Sequence, residues 1–536
     1  MDMLTPRGTA PQTAETAGDA HGPRLVTYPV PDGAPTNDSY LVKARAPGGG
    51  WQELDTYLVT LNILDTATGT ARIQNSSLAI LDFADVVELE VSYAEGGVEK
   101  ARIRPDSYGI AHELRGDTVR FGLTEPRNLV VQVNDDTFDV LHLFARPLET
   151  DRPAEDDPDV LYFGPGVHTT PDGQVTVPSG KTVYLHGGAV LRSRVRFKDV
   201  QGAALAGRGV IWASPGGGAT VEGSTDISIG AVTMLNPDGY AVTIGESSNV
   251  TVTGLGSFSS KGWGDGIDVF CSVGVTIDGV FLRNADDCVA IYAHRWDYYG
   301  DTRDITVRNS TLWADVAHPV NIGTHGNTGA PEVLENLTFE NLDICDHREP
   351  QLGYQGCIAL NAGDSNLIRN VRVDGVRVED FRQGQLIHLR VMHNATYNTS
   401  PGRGIESVYV KDLSYTGTRA GVSMLVGYDE SRGIRDVTFE NLVVNGTVIA
   451  DSMRKPGWFK TSDLVPMYAN EHVKDLKFLT TAEAAVRRTP PVMAPASSRA
   501  TLPTSSSGGE HPSHPDPPPG LETHGHEPHQ NPKHHI

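Results

Sequence analysis

A four-residue pattern recurs along much of this 536-residue chain: Asn or Asp, then an apolar, a polar and an apolar residue. It begins at Asp226, Asn249, Asp304, Asn336, Asn370, Asp436 and Asp475, and Gly274 and Ser407 fill two gaps with a substituted first residue. The intervals run from 249 − 226 = 23 to 475 − 436 = 39 residues. Alternation with period two marks short strands, and no helical period accompanies it. A repeat this short cannot bury its own apolar face, so successive copies must stack. The pattern predicts a right-handed parallel β-helix, each coil lying about 4.8 Å above the last. The Leu-x-x-Leu-x-Leu spacing of leucine-rich repeats is missing, and there are too few strands per repeat for a propeller. Variable intervals mean loops of variable length.

Upstream the pattern differs. Residues 25–155 hold antiparallel-type strands such as Tyr57 to Leu64, Val87 to Tyr93 and Leu129 to Val133, punctuated by Gly and Asp. Several short strands in that length suggest a β-sandwich. The fold class is therefore all-β: a sandwich over 25–155 and a β-helix over 156–481. Residues 1–24 and 482–536 are rich in small and polar residues, and seven histidines lie between His511 and His535. Both ends are expected to be disordered.

A net charge of −23 argues against nucleic acid or an anionic membrane as partner. No apolar run approaches the roughly 18 residues of a membrane span. The start of the chain lacks the apolar core of a secretory signal. The cysteines, Cys271, Cys288, Cys345 and Cys357, are too few for a disulfide framework and lack zinc-site spacing, which leaves disulfides and buried thiols both open.

Two acidic stretches carry the chemistry, Trp263-Gly264-Asp265-Gly266-Ile267-Asp268 and Asn284-Ala285-Asp286-Asp287-Cys288. Asp265 and Asp286 are 286 − 265 = 21 residues apart, close to one coil. Stacking would bring Asp265, Asp286 and Asp287 together. Like charges raise each other's pKa, and a protonated carboxyl beside ionised ones is what glycosidic bond cleavage needs. Adjacent aspartates in one strand would point to opposite faces, so the Asp286–Asp287 pair is expected at a strand end or bend where both reach solvent. Asp268 is read as a turn residue.

These motifs resemble the polygalacturonase-like glycoside hydrolases of family 28, whose pattern is Asn-Thr-Asp, Asp-Asp, Gly-His-Gly and Arg-Ile-Lys. Here the counterparts are Trp263-Gly264-Asp265, Asp286-Asp287-Cys288 and Ala317-His318-Pro319. The resemblance covers roughly 158–450. It implies Asp286 as general acid, Asp265 and Asp287 holding and deprotonating a water, and His318 hydrogen-bonding into the site. It also implies inversion, with acid and base far enough apart to admit the water. His325 is a rival for the His318 role. The resemblance suggests a secreted protein.

Two departures stand out. Trp263-Gly264 replaces Asn-Thr, and no Arg-Ile-Lys follows the histidine; that region reads Gly356-Cys357-Ile358-Ala359-Leu360-Asn361. The basic pair would hold a substrate carboxylate, and Arg390 on a later coil is the candidate substitute. The insertion from Tyr292 to Tyr299 offers Trp296 and Arg295 to a sugar, with Trp313 and Tyr354 on nearby coils. The expected partner is a polysaccharide or oligosaccharide substrate, with no cofactor and no metal, and the protein is expected to be a monomer. Alternatives are a dextranase-like α-glucan hydrolase on the same fold, a lyase, or a non-catalytic carbohydrate-binding β-helix.

Overall fold

The computed structural model describes residues 24–488, Thr66 excepted. The N-terminal unit is two facing sheets. One contains Leu25–Thr27, Thr70–Phe83, Leu141–Pro147, Arg127–Val133 and Ala101–Arg104, with Tyr57–Asp65 also paired to Thr70–Phe83. The other runs Gln52–Leu54, Tyr40–Arg45, Val87–Tyr93, Thr118–Leu123, His112–Arg115. Pairing is antiparallel except between Leu141–Pro147 and Thr70–Phe83. Alternate residues such as Leu81, Leu89, Val91, Phe121, Leu129 and Leu143 meet between the sheets and form the core.

From Val160 the chain coils into a parallel β-helix. An 11-stranded sheet from Gln174–Thr176 to Met467–Ala469 faces a longer parallel sheet that starts at Val160–Phe163. The interior is a stack of like residues: Ile267, Val289, Val320, Ile358 and Ile387 pair coil on coil.

The recurring Asn or Asp has a definite job. Every one of the nine repeat positions has a left-handed backbone, with φ between 53° and 71°. Asn, Asp and Gly tolerate that region best. In Thr302–Ala314 and Val333–Asp346 the residue lies inside a long strand and bends it. Its side chain bonds to the next coil: Asn336 Nδ2 donates to Asp304 Oδ1 at 2.9 Å, and Asn370 Nδ2 to Asn336 Oδ1 at 3.3 Å. The sequence motif is therefore a corner as well as a strand marker.

The sandwich docks on the flank of the β-helix. Phe144 enters a cluster with Phe258, Phe281 and Trp313. Gly256 lets this happen, because a Cβ there would meet the Phe144 ring at 2.2 Å. Arg283, fully buried, pairs with Asp315 at 3.0 Å and donates to the Thr137 carbonyl at 2.7 Å. Arg104 of the sandwich reaches Glu379 at 2.7 Å. Trp313 lies beneath the Arg104 and Arg283 guanidinium groups, at 4.2 and 4.0 Å. It is interface, and its expected place near a sugar cleft is corrected.

The segment expected to be disordered from 482 begins instead with a helix, Thr481–Arg488. Thr480 and Glu483 cap it reciprocally: Thr480 N donates to Glu483 Oε2 at 2.7 Å, and Glu483 N to Thr480 Oγ1 at 3.2 Å. Residues 1–23 and 489–536, with the seven histidines, lie outside the described residues. The four cysteines are buried free thiols. No helix among the described residues is long and apolar enough to cross a membrane.

Candidate active site

The coil offset in the 11-stranded sheet fixes which acids meet. Ile267 pairs with Val289, an offset of 289 − 267 = 22. Asp265 precedes Ile267 by two residues and Asp287 precedes Val289 by two, so Asp265 stands one coil below Asp287. The Gly266 N–H donates to the Asp287 carbonyl at 2.8 Å. Gly266 has to be glycine, since a Cβ would lie 2.3 Å from the Cys288 carbonyl oxygen. Carboxylate oxygens of Asp265, Asp286 and Asp287 all fall within 4.8 Å of one another.

Asp286 and Asp287 occupy the bend between strands Phe281–Asn284 and Val289–Tyr292, as expected. Their shared access to solvent is not found: Asp286 is partly exposed, whereas Asp287 is buried. Donors make that burial tolerable. Asp287 Oδ1 accepts from His318 Nδ1 at 2.7 Å and from the His318 backbone N–H at 3.0 Å. Its Oδ2 accepts from Asn321 Nδ2 at 2.8 Å and from the Tyr292 hydroxyl at 3.3 Å. Four donors fill the four acceptor positions of a carboxylate. Asp287 therefore has no lone pair free for a cation, and the trio does not fit a metal site.

The electrostatics separate the acids. Burial, and then the Asp287 charge, push the Asp286 carboxyl up to about 8. Burial, and then Asp268, Asp286 and Asp287, hold Asp265 well above the ordinary carboxylate range, with Arg295 opposing. Burial alone would lower His318, but Asp287 outweighs it and raises the ring to about 9. Its second nitrogen, Nε2, faces the Tyr354 carbonyl. Both ring nitrogens thus meet acceptors, the pattern of a charged imidazolium. Burial raises Glu349 to about 7.

The other sequence candidates distribute unevenly. Tyr354 is buried against the His318 ring, its hydroxyl taking Asn321 Nδ2 at 3.1 Å, and it stacks on Tyr397 at 4.8 Å. His325 does not contact the acids through its ring; it stands edge-on to Tyr292 at 5.0 Å, and burial lowers it to about 3, so it is neutral. His318, not His325, is the histidine on Asp287. Trp296 is half exposed, stacked on Tyr240 at 5.9 Å, with the Arg295 guanidinium 4.9 Å above its own ring. Arg390 occupies an outward position of Ile387–Val391 and donates to the Gly353 carbonyl. It lies three strands from Val289–Tyr292. The outward positions of Ile358–Ala362 are Ala359 and Asn361, both uncharged.

Sequence reading missed several residues of the site. Asp268 is not in a turn; it lies in strand Ile267–Phe270, fully buried and beside Asp265. Asn321 was legible as the polar outward residue of Val320–Ile322. Glu349 and Tyr397 sit in loops with no period to reveal them.

Residues 217–453 match the sequence signature of Glycosyl hydrolases family 28. A probable polygalacturonase of Arabidopsis thaliana is 24% identical over 258 residues, 41% of this chain and 54% of that protein. A probable endo-xylogalacturonan hydrolase A of Neosartorya fischeri is 25% identical over 236 residues, 42% of this chain and 55% of that protein. The chain spans about half the length of these curated relatives. Among solved structures, Dex49A from Penicillium minioluteum superposes with a TM-score of 0.57 at 12% identity, covering 87% of this chain and 100% of that one, so the two share a fold. The match to glycosyl hydrolases family 28 spans the stretch that holds Asp265, Asp286, Asp287 and His318.

Proposed function

We propose that this protein hydrolyses O-glycosidic bonds of a polysaccharide or oligosaccharide with inversion at the anomeric carbon. One observation carries the reading. Asp286, the partly exposed member of the trio, is pushed up to about 8 and so keeps its proton at neutral pH beside Asp287. Asp286 protonates the leaving oxygen as general acid. Asp265 holds the attacking water and receives its proton, while Asp287, its acceptor positions filled by four donors, anchors His318 beside it. His318, charged and hydrogen-bonded to Asp287, sets a positive charge against that carboxylate.

The spacing departs from the usual guide. Inverting pairs commonly stand about 6.5–9.5 Å apart, whereas these oxygens lie within 4.8 Å. The expectation of widely separated acid and base is not met. Burial supports inversion on other grounds. A retaining enzyme needs a carboxylate free to attack the sugar, yet Asp265 and Asp287 are buried and Asp287 is saturated with donors.

The names of the relatives point to pectic polymers. A second reading, a neutral α-glucan, draws on the uncharged Ala359 and Asn361 at the outward positions where the resemblance implied a basic pair. A panel of polygalacturonate, xylogalacturonan, dextran and pullulan, assayed for reducing ends and followed by NMR for the first-formed anomer, decides among them. A retained anomer overturns the mechanism. Glycan binding without turnover on any member overturns the activity.

A further inference from the structure

Asp268 is the least explained acid of the molecule. It lies fully buried on the strand that follows Asp265, and neither of its side-chain oxygens has a donor among the described residues. An ionised carboxylate without donors, shut away from water, is strongly unfavourable. The groups that face it offer no escape. Asp265 precedes it on the same coil, and Asp286 and Asp287 project from the next. Tyr240 on the coil before and Tyr292 on the coil after also face it. Arg295, the cation that opposes its protonation, does not hydrogen-bond it. The group within hydrogen-bonding reach is the Asp265 carboxyl.

We propose that Asp268 is a positioning residue: it stays protonated and donates its O–H to Asp265, so that the pair carries one proton and Asp265 remains the ionised member that receives the proton of water. A neutral carboxylic acid has one donor, and Asp265 is the acceptor placed to take it. In the reaction the water O–H bond breaks, its proton passes to Asp265, and its oxygen bonds to the anomeric carbon. The bond from that carbon to the leaving oxygen breaks, and the leaving oxygen takes the proton of Asp286. Asp268 keeps its own proton throughout. Two interacting carboxyls titrate as a pair, and the working form is the singly protonated one.

The proposal rests on the hydrolase reading, so the test has an arm that does not need turnover. On a glycan the native protein cleaves, Asp268→Ala removes the donor, and kcat is expected to fall about a hundredfold with KM nearly constant. The acidic limb of the pH profile moves up by about one unit. Asp268→Asn keeps an N–H donor and no charge, and is expected to lose only about threefold with the limb in place. Equal damage from both variants, or an unmoved limb in Asp268→Ala, overturns the proposal. Separately, an Asp286→Asn protein at pH 9 should retain a protonated-carboxyl infrared band that disappears when Asp268→Asn is added. A missing band, or one that survives, overturns the proposal whether or not a cleavable glycan has been found. Thermal melts of all variants exclude unfolding as the cause.

Discussion

His318 Nδ1 donates to Asp287 Oδ1 at 2.7 Å, with both residues buried. The pair does more than hold a ring in place. It places a positive charge beside the carboxylate trio, which otherwise concentrates negative charge in a dry site.

Replacing His318 with Ala removes that charge and leaves Asp287 under-compensated. Breaking a buried pair this way costs about 3–5 kcal/mol, read as a lowered denaturation midpoint. kcat is expected to fall about a hundredfold. His318→Asn keeps a donor near the Nδ1 position and is expected to recover part of both losses.

Stability should fall on the alkaline side. The folded His318 is raised from 6.5 to about 9, so its contribution is fully present below about 6.5 and is lost as pH rises through 9. The folded Asp286 is raised from 3.8 to about 8, so its contribution is likewise present at low pH and lost as pH rises through 8. Melting temperatures measured from pH 6 to 10 should decline across that window. A flat profile contradicts the assignment.

Catalysis follows the same group. The general acid works while protonated, so kcat should drop tenfold per unit once pH passes about 8. Asp286→Asn is expected to lower kcat by about a thousandfold at an unchanged melting temperature, because the amide replaces an already neutral carboxyl.

Trp296 stacks on Tyr240 at the surface rather than in the core. Trp296→Ala should raise KM severalfold while leaving kcat nearly constant, the signature of lost ground-state binding. Steady-state kinetics on oligosaccharides of increasing length will locate the sugar it touches.

Arg283 links the two β units through Asp315 and the Thr137 carbonyl. Arg283→Met leaves Asp315 with Arg382, at 3.2 Å, as its remaining cation, and a loss of about 3 kcal/mol is expected. Because the contact crosses the interface, sandwich and β-helix should lose stability together in calorimetry.

The strand pattern of the β-helix was legible because the alternation of apolar and polar residues is local. The Asp265–Asp287 stack was legible because that offset is close to one coil, and offsets differ only where loops intervene. Asp268 was misread because its place in strand Ile267–Phe270 shows only once the coil register is known. Trp313 was misplaced because its covering comes from Arg104, more than two hundred residues earlier, which no local pattern reports. The helix Thr481–Arg488 had a readable signal in Thr480 and Glu483, overshadowed by the Pro- and Ser-rich composition of residues 489–536.

The unequal coil offsets divide the labour between turns. From Ile267 the rises are 22, then 320 − 289 = 31, 358 − 320 = 38 and 387 − 358 = 29. The shortest step carries Asp268, Asp286 and Asp287, and the longer ones carry Trp296, His325 and Tyr354 on their excursions. Excursions of different length thus leave from different turns of one spring, apart from the turn that holds the acids.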